Sequence, residues 1–136
     1  MDKLFNVISI ITGIAGGIIA ALFGAWDKLL STLVILMVLD YATGIIKAIY
    51  EKRLSSEIGF KGLLKKITIL VVVAMGNVIE AFMGGGTAIR EIVIVFYIAN
   101  EGISILENAA VILPKMPEGL KRVLLQLRGD DNADRN

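Results

Sequence analysis

The sequence contains no cysteine and no histidine, and only two of its 136 residues are proline. Without cysteine the chain has no disulfide framework and no thiolate metal site. Without histidine it lacks the commonest acid–base residue and the commonest metal ligand. Its formal net charge of +1 creates no strong field that would attract nucleic acid. These absences argue against an enzyme, a resident cofactor and a nucleic-acid partner.

Charged residues are also scarce, and they are unevenly distributed. They make up 20% of the chain, whereas 56% of its residues are hydrophobic. The 23 residues between Lys3 and Asp27 carry no charge, and the 23 residues between Lys66 and Arg90 carry only Glu80. A helix needs about 20 mostly apolar residues to cross the hydrocarbon core of a bilayer. We therefore predict an all-α, polytopic membrane protein whose first partner is the lipid bilayer.

The apolar runs predict a transmembrane domain over residues 1–113 with four spans, at about residues 4–25, 29–50, 67–83 and 88–113. Three glycines at 84–86 end the third span, because glycine favours turns over helix interiors. Pro114 ends the fourth span. A three-span chain is the alternative, with either the first or the fourth helix lying on the membrane surface.

The remainder of the chain is more polar. Residues 114–128 predict a short amphipathic helix, because Leu120, Val123, Leu124 and Leu127 recur at helical spacing. This helix either lies in the membrane interface or packs on a neighbouring helix. Residues 129–136 are polar and predict a disordered tail.

Basic residues predict the orientation. The connection between the second and third predicted spans, with its flanks, holds Lys47, Lys52, Arg53, Lys61, Lys65 and Lys66, whereas the first connection holds only Lys28. Because basic residues stay on the cytoplasmic side, we predict that both termini and the middle loop are cytoplasmic.

The first predicted span carries small residues on one face. They lie on two adjacent rows, Gly13, Gly17 and Ala21, and Gly16, Ala20 and Gly24. Small side chains let helix backbones approach closely in lipid. The pattern predicts helix packing, either between copies of the chain or within one copy.

The later spans carry polar residues that lipid would reject. A carboxylate at membrane depth costs at least about 2.5–3.5 kcal/mol, and the assignment places four there, so they cannot all face lipid. Either the helices bury them together or they face water in an assembled pore. The candidate pore-lining or assembly residues are Asp40, Gly44, Lys47, Asn77, Glu80, Tyr97, Glu101, Ser104, Glu107 and Asn108.

Several segments, in order along residues 29–128, carry a family resemblance. They are Asp40-Tyr-Ala-Thr-Gly44, Ser55-Ser56 with Gly59 and Gly62, Lys65-Lys66, Glu101-Gly-Ile-Ser-Ile-Leu-Glu107-Asn108, and Pro114-Lys-Met-Pro117 followed by Leu120-Lys-Arg-Val. Together they resemble the phage-lysis and toxin-secretion holins of Gram-positive bacteria and their phages. The resemblance assigns the family's Asp and Gly positions to Asp40 and Gly44. It also places Ser55, Ser56, Gly59, Gly62, Lys65 and Lys66 in a cytoplasmic loop.

The resemblance implies a small protein of the bacterial cytoplasmic membrane that forms homo-oligomers and opens lesions. An endolysin, or in some members a toxin, then leaves the cell and the host lyses. The endolysin is thus a functional partner without a stable contact. Two alternatives stay open: a small oligomeric ion channel or transporter, and an antiholin-type regulator.

Overall fold

The computed structural model describes residues 1–130. It contains five helices: α1 (Asp2–Phe23), α2 (Lys28–Tyr50), α3 (Ser56–Phe82), α4 (Ile89–Ala110) and α5 (Glu118–Arg128). No strand occurs among the described residues, so the predicted all-α class is confirmed. Most of the predicted tail, residues 131–136, lies outside the described part of the chain.

Local sequence signals account for several helix ends. The Asp27 side chain accepts a hydrogen bond from the Leu30 N–H (2.9 Å), and Ser55 accepts one from the Ile58 N–H (3.2 Å). Such N-caps satisfy donors that the first helical turn leaves free. The glycines at 84–86 all have positive φ, between 77° and 87°, which glycine adopts without a steric penalty. The predicted turn between the third and fourth helices is therefore confirmed.

The start of α3 differs from the prediction. The expected cytoplasmic loop is wrong from Ser56 onward, because Ser56, Gly59, Gly62, Lys65 and Lys66 all lie within α3 and Ser55 is its N-cap. A Glu57–Lys61 ion pair (2.9 Å) joins residues four apart on the added turns. The capped helix thus begins well before the apolar run that marked the predicted span.

Helices α2, α3 and α4 run in alternating directions. Near one end of the bundle, Arg90 at the start of α4 contacts Asp27, while Asn77 in the later part of α3 contacts the end of α1 at Leu22. Near the other end, the Tyr41 hydroxyl of α2 donates to the Gly59 carbonyl of α3 (3.2 Å). The short connections thus join neighbouring antiparallel helices.

The apolar core is formed by α2, α3 and α4. Its buried residues are Leu30, Leu33, Met37, Ile69, Val73 and Ile94. By contrast, α1 has no buried residue, and α3 is the one helix of the described chain that it runs beside, apart from the contacts of Phe23 at its end. Its exposed side chains include Phe5, Ile11 and Ile18. An apolar surface of this extent indicates contact with lipid or with another protein chain.

Among the described residues, three helices are long and apolar enough to cross a membrane, namely α1, α2 and α3. Helix α4 is not one of them, since it includes Arg90, Glu91, Glu101 and Glu107. It nevertheless lies inside the bundle, where it packs against both α2 and α3. The crossing of the membrane by α4 stays a prediction.

The small-residue face of α1 comprises Gly13, Gly16, Gly17, Ala20 and Ala21, and its three glycines lie open. No atom lies within 4 Å of a Cβ built on any of its three glycines. Within residues 1–130 these glycines therefore pack against no other helix. Gly24, predicted to belong to this face, instead follows α1 with φ +74°, and an added Cβ would lie 2.9 Å from Asn77 Oδ1. It is a helix-ending glycine, because an L side chain would strain both its backbone and this contact.

The amphipathic segment forms α5, which packs on α4. The contact is close at Gly102, where an added Cβ would lie 2.9 Å from Leu124 Cδ2. Of the two predicted placements, packing on a neighbouring helix is therefore present. The exposed face of α5 leaves room for an interfacial contact as well.

Candidate functional site

Three charged side chains meet in the bundle and form what we call the buried ion cluster: Asp40 of α2, Lys66 of α3 and Glu101 of α4. Lys66 Nζ donates hydrogen bonds to a carboxylate oxygen of Asp40 and to one of Glu101. The three residues are only 6%, 8% and 1% exposed. One ammonium group therefore joins three helices at a single point.

Helical periodicity brings the cluster to the core. Asp40 lies three residues after Met37, and Lys66 lies three residues before Ile69. Glu101 lies seven residues after Ile94, which is two turns along α4. Residues three, four or seven apart share a helix face. Each charge therefore continues the apolar face that forms the core.

The electrostatics favour a closely packed cluster. Each ion removed from water carries a penalty of several kcal/mol, which pairing and further hydrogen bonds offset. Asn108 adds a hydrogen bond to Asp40 Oδ1 (3.1 Å) and another to Thr43 Oγ1 (3.1 Å). No buried side-chain N or O atom in the described part of the chain lacks a partner. The satisfied network fixes the relative positions of α2, α3 and α4.

A cavity of about 190 Å³ adjoins the cluster. Its lining includes Asp40, Tyr41, Gly44, Ser104 and Asn108. A cavity needs about 10–15 Å³ of such volume to hold one water, so this one has room for water. Its walls are mixed, and the polar groups of Asp40, Ser104 and Asn108 offer water a place next to the buried charges.

A second polar contact, the Arg90 junction, lies at the opposite end of the bundle. Arg90 donates to the Phe23 carbonyl (2.9 Å), to Asp27 Oδ2 (2.8 Å) and to the Ala25 carbonyl (3.0 Å). The hydrogen bond from Arg90 holds the pKa of Asp27 below its ordinary value, so this carboxyl stays ionised at neutral pH. The junction connects the start of α4 to the α1–α2 connection.

The predicted candidate residues fall into separate regions. The structure brings together Asp40, Gly44, Glu101, Ser104 and Asn108 at or beside the ion cluster. Lys47 lies two turns further along α2 and is half-buried. The others lie elsewhere. Asn77 donates hydrogen bonds to the Ala21 and Leu22 carbonyls, and Glu80 lines a cavity near the glycine turn. Tyr97 packs edge-on against Phe96 beside the apolar core, and Glu107 is exposed.

The sequence did not predict the roles of two important cations. Lys66 counted as a loop residue, although its position three residues before Ile69 is a signal that it faces the core. Arg90 directly follows an apolar segment, and only the folded chain shows that Asp27 and two carbonyls receive its hydrogen bonds. In both cases the partner lies far away in the sequence.

Comparison with known sequences identifies the relatives of this chain. Residues 17–129, which include all three cluster residues, match the bacteriophage holin family. The chain belongs to this family. A probable holin of Bacillus phage phi105 is 35% identical over 113 residues, covering 83% of each chain. No solved structure matches the chain.

Other similar proteins come from bacteria. An uncharacterized protein of Clostridium perfringens is 42% identical over 128 residues, covering 93% of this chain and 97% of the relative. An uncharacterized protein of Listeria monocytogenes is 46% identical over 110 residues, covering 81% of this chain and 79% of the relative. The holin family is not an enzyme family. Family membership and three apolar helices identify a membrane protein with a holin-type role.

Proposed function

We propose that this chain is a holin that forms homo-oligomers in the bacterial cytoplasmic membrane and opens lesions there. An endolysin, or a toxin, would leave the cell through the lesions, and lysis would follow. The observation that carries this proposal is the buried ion cluster, in which Asp40 and Lys66 belong to two helices apolar enough to span the membrane.

In the closed state the cluster allows quiet insertion. Lys66 pairs with both carboxylates, so no charge of the cluster needs to face lipid. Unpaired carboxylates at this depth would each cost at least about 2.5–3.5 kcal/mol. The monomer thus keeps Asp40, Lys66 and Glu101 inside the bundle until copies accumulate.

In the open state the same groups would line water. Separation of α2, α3 and α4 exposes Asp40, Lys66 and Glu101, and hydration then replaces their mutual pairing. A lesion needs such a hydrophilic lining, and the adjoining cavity supports entry of water at this point.

The proposed orientation has four crossings, with both termini in the cytoplasm. The alternating directions of α2, α3 and α4 support a crossing by α4 beside the two apolar helices. The basic side chains Lys52, Arg53 and Lys61 then lie on the cytoplasmic side, as the distribution of basic residues in membrane proteins requires.

Assembly would use the small-residue face of α1. Gly17→Leu should weaken association between copies about tenfold, because a large side chain keeps the helix backbones apart. Chemical crosslinking in membranes measures the loss of dimers and larger species. Ala15→Leu is the matched control, since Ala15 lies on the opposite side of α1. Equal crosslinking of Gly17→Leu and wild type would exclude this face as the interface.

Induced expression in a bacterial host tests the proposed function. With a cytoplasmic endolysin present, we expect abrupt lysis after a delay, and without endolysin we expect abrupt loss of viability without lysis. Ion-specific currents without passage of a folded protein would instead identify the channel or transporter alternative. If the chain alone caused neither lysis nor loss of viability, but changed the time of lysis by another holin, it would be a regulator.

A further inference from the structure

Helix α5 contacts α4 through part of its surface. Leu124 packs on Gly102, and Leu125 is also partly buried. Gly102 lies eight residues before the end of α4, so α5 folds back beside α4. This contact leaves another side of α5 without a partner from α4.

That side carries an apolar strip. Leu120, Val123 and Leu127 are 49%, 51% and 48% exposed, respectively. Their spacing of three and four places them on one side of the helix. An exposed strip of large apolar side chains indicates an interaction surface.

Basic residues lie on the same helix as the apolar strip and just before it. Lys121 and Arg122 are exposed on α5, and Lys115 precedes it. From Lys115 to Asp130 the chain has four basic and two acidic residues, which gives a local net charge of +2. One of the basic residues, Arg128, forms an ion pair with Asp130. A surface with this combination matches an anionic membrane interface, where apolar side chains enter the acyl boundary and cations meet lipid phosphates.

The connection to the bundle restricts where α5 can lie. Seven residues, 111–117, join α4 to α5, and even fully extended they span at most about 25 Å. Helix α5 therefore stays next to a bundle whose neighbouring helices are apolar enough to span the bilayer. We propose that the strip of Leu120, Val123 and Leu127, with Lys121 and Arg122, binds anionic phospholipid. This lipid contact does not depend on whether the chain opens lesions.

The absence of cysteine allows a direct test on the full chain. Val123→Cys, labelled with an environment-sensitive fluorophore, is reconstituted into vesicles of phosphatidylcholine alone or with about one-third phosphatidylglycerol. We expect a blue shift and protection from iodide quenching in the anionic vesicles. Since each basic residue contributes about fivefold, Lys121→Gln with Arg122→Gln should shift the bound-to-free equilibrium about 25-fold towards free. High salt should act in the same direction.

Lys52→Gln with Arg53→Gln is the matched control, because it removes the same charge from exposed residues in the α2–α3 connection. This control should keep the anionic-lipid response. Equal immersion of the label in both vesicle types, or an equal response of the two double variants, would overturn the proposal. Protection that depends on the protein-to-lipid ratio rather than on phosphatidylglycerol would assign the strip to a second copy of the chain and would also overturn it.

Discussion

Lys66→Met is expected to lower the free energy of unfolding of the bundle by about 3–5 kcal/mol. Methionine keeps much of the lysine's length but removes the ammonium group that pairs with Asp40 and Glu101. Two carboxylates then remain buried without a counterion, which is the costly way to break a buried ion network. Unfolding of the purified protein by SDS in mixed micelles measures the change.

Two further variants make this experiment specific. Lys65→Met removes an exposed lysine from the neighbouring position and should change stability by less than about 0.5 kcal/mol. Asp40→Asn and Glu101→Gln, added to Lys66→Met, should recover much of the lost stability, because a neutral set leaves no buried charge. If Lys66→Met were as stable as Lys65→Met, the cluster would not hold the bundle together.

Arg90→Leu is expected to release α1 from the bundle. The change removes hydrogen bonds to the Phe23 and Ala25 carbonyls together with the ion pair to Asp27. Hydrogen bonds to a charged group contribute about 1.5–3 kcal/mol each, and Asp27 is partly exposed, so we expect a total loss of about 3 kcal/mol. Spin labels at introduced cysteines, Ile14→Cys in α1 and Val71→Cys in α3, should report a broadened distance distribution.

The neighbouring residue provides the control. Glu91→Leu introduces the same side chain at an exposed position one residue later and should leave the distance distribution narrow. Arg90→Lys should give an intermediate result, because an ammonium group keeps the charge but cannot present the planar fork of donors. A narrow distribution in Arg90→Leu would show that α1 is held mainly by its contacts with α3.

The sequence predicted the helices better than their boundaries. The glycine turn at 84–86 and the C-terminal helix were predictable because backbone preferences and apolar periodicity are local properties. The C-terminal helix spans Glu118–Arg128, so it begins four residues later than the predicted segment 114–128. The start of α3 was missed by about eleven residues, since the apolar run alone marked the span and the Ser55 cap was not used. A helix that extends beyond its apolar run is not visible in hydropathy.

The candidate site was only partly predictable. Asp40 and Glu101 stood out because a carboxylate inside an apolar segment demands a partner. Their partner, Lys66, lies 26 residues from Asp40 and 35 from Glu101. Glu107 was selected for the same reason and Tyr97 as a polar residue on one face of the fourth span, yet both lie apart from the cluster. A polar helix face is wider than the narrow sector that meets two particular neighbouring helices.

The sequence by itself determined that the chain is a helical membrane protein with acids in otherwise apolar segments, because hydropathy and helix periodicity are summed over neighbouring residues. Only the tertiary structure decided that Lys66 joins two of those acids and that Arg90 connects α4 to the end of α1. It also decided that Gly13, Gly16 and Gly17 of α1 contact no other helix in the described part of the chain. The reason is geometric. The rotation and offset of one helix against another decide which side chains meet, and both depend on contacts far apart in sequence.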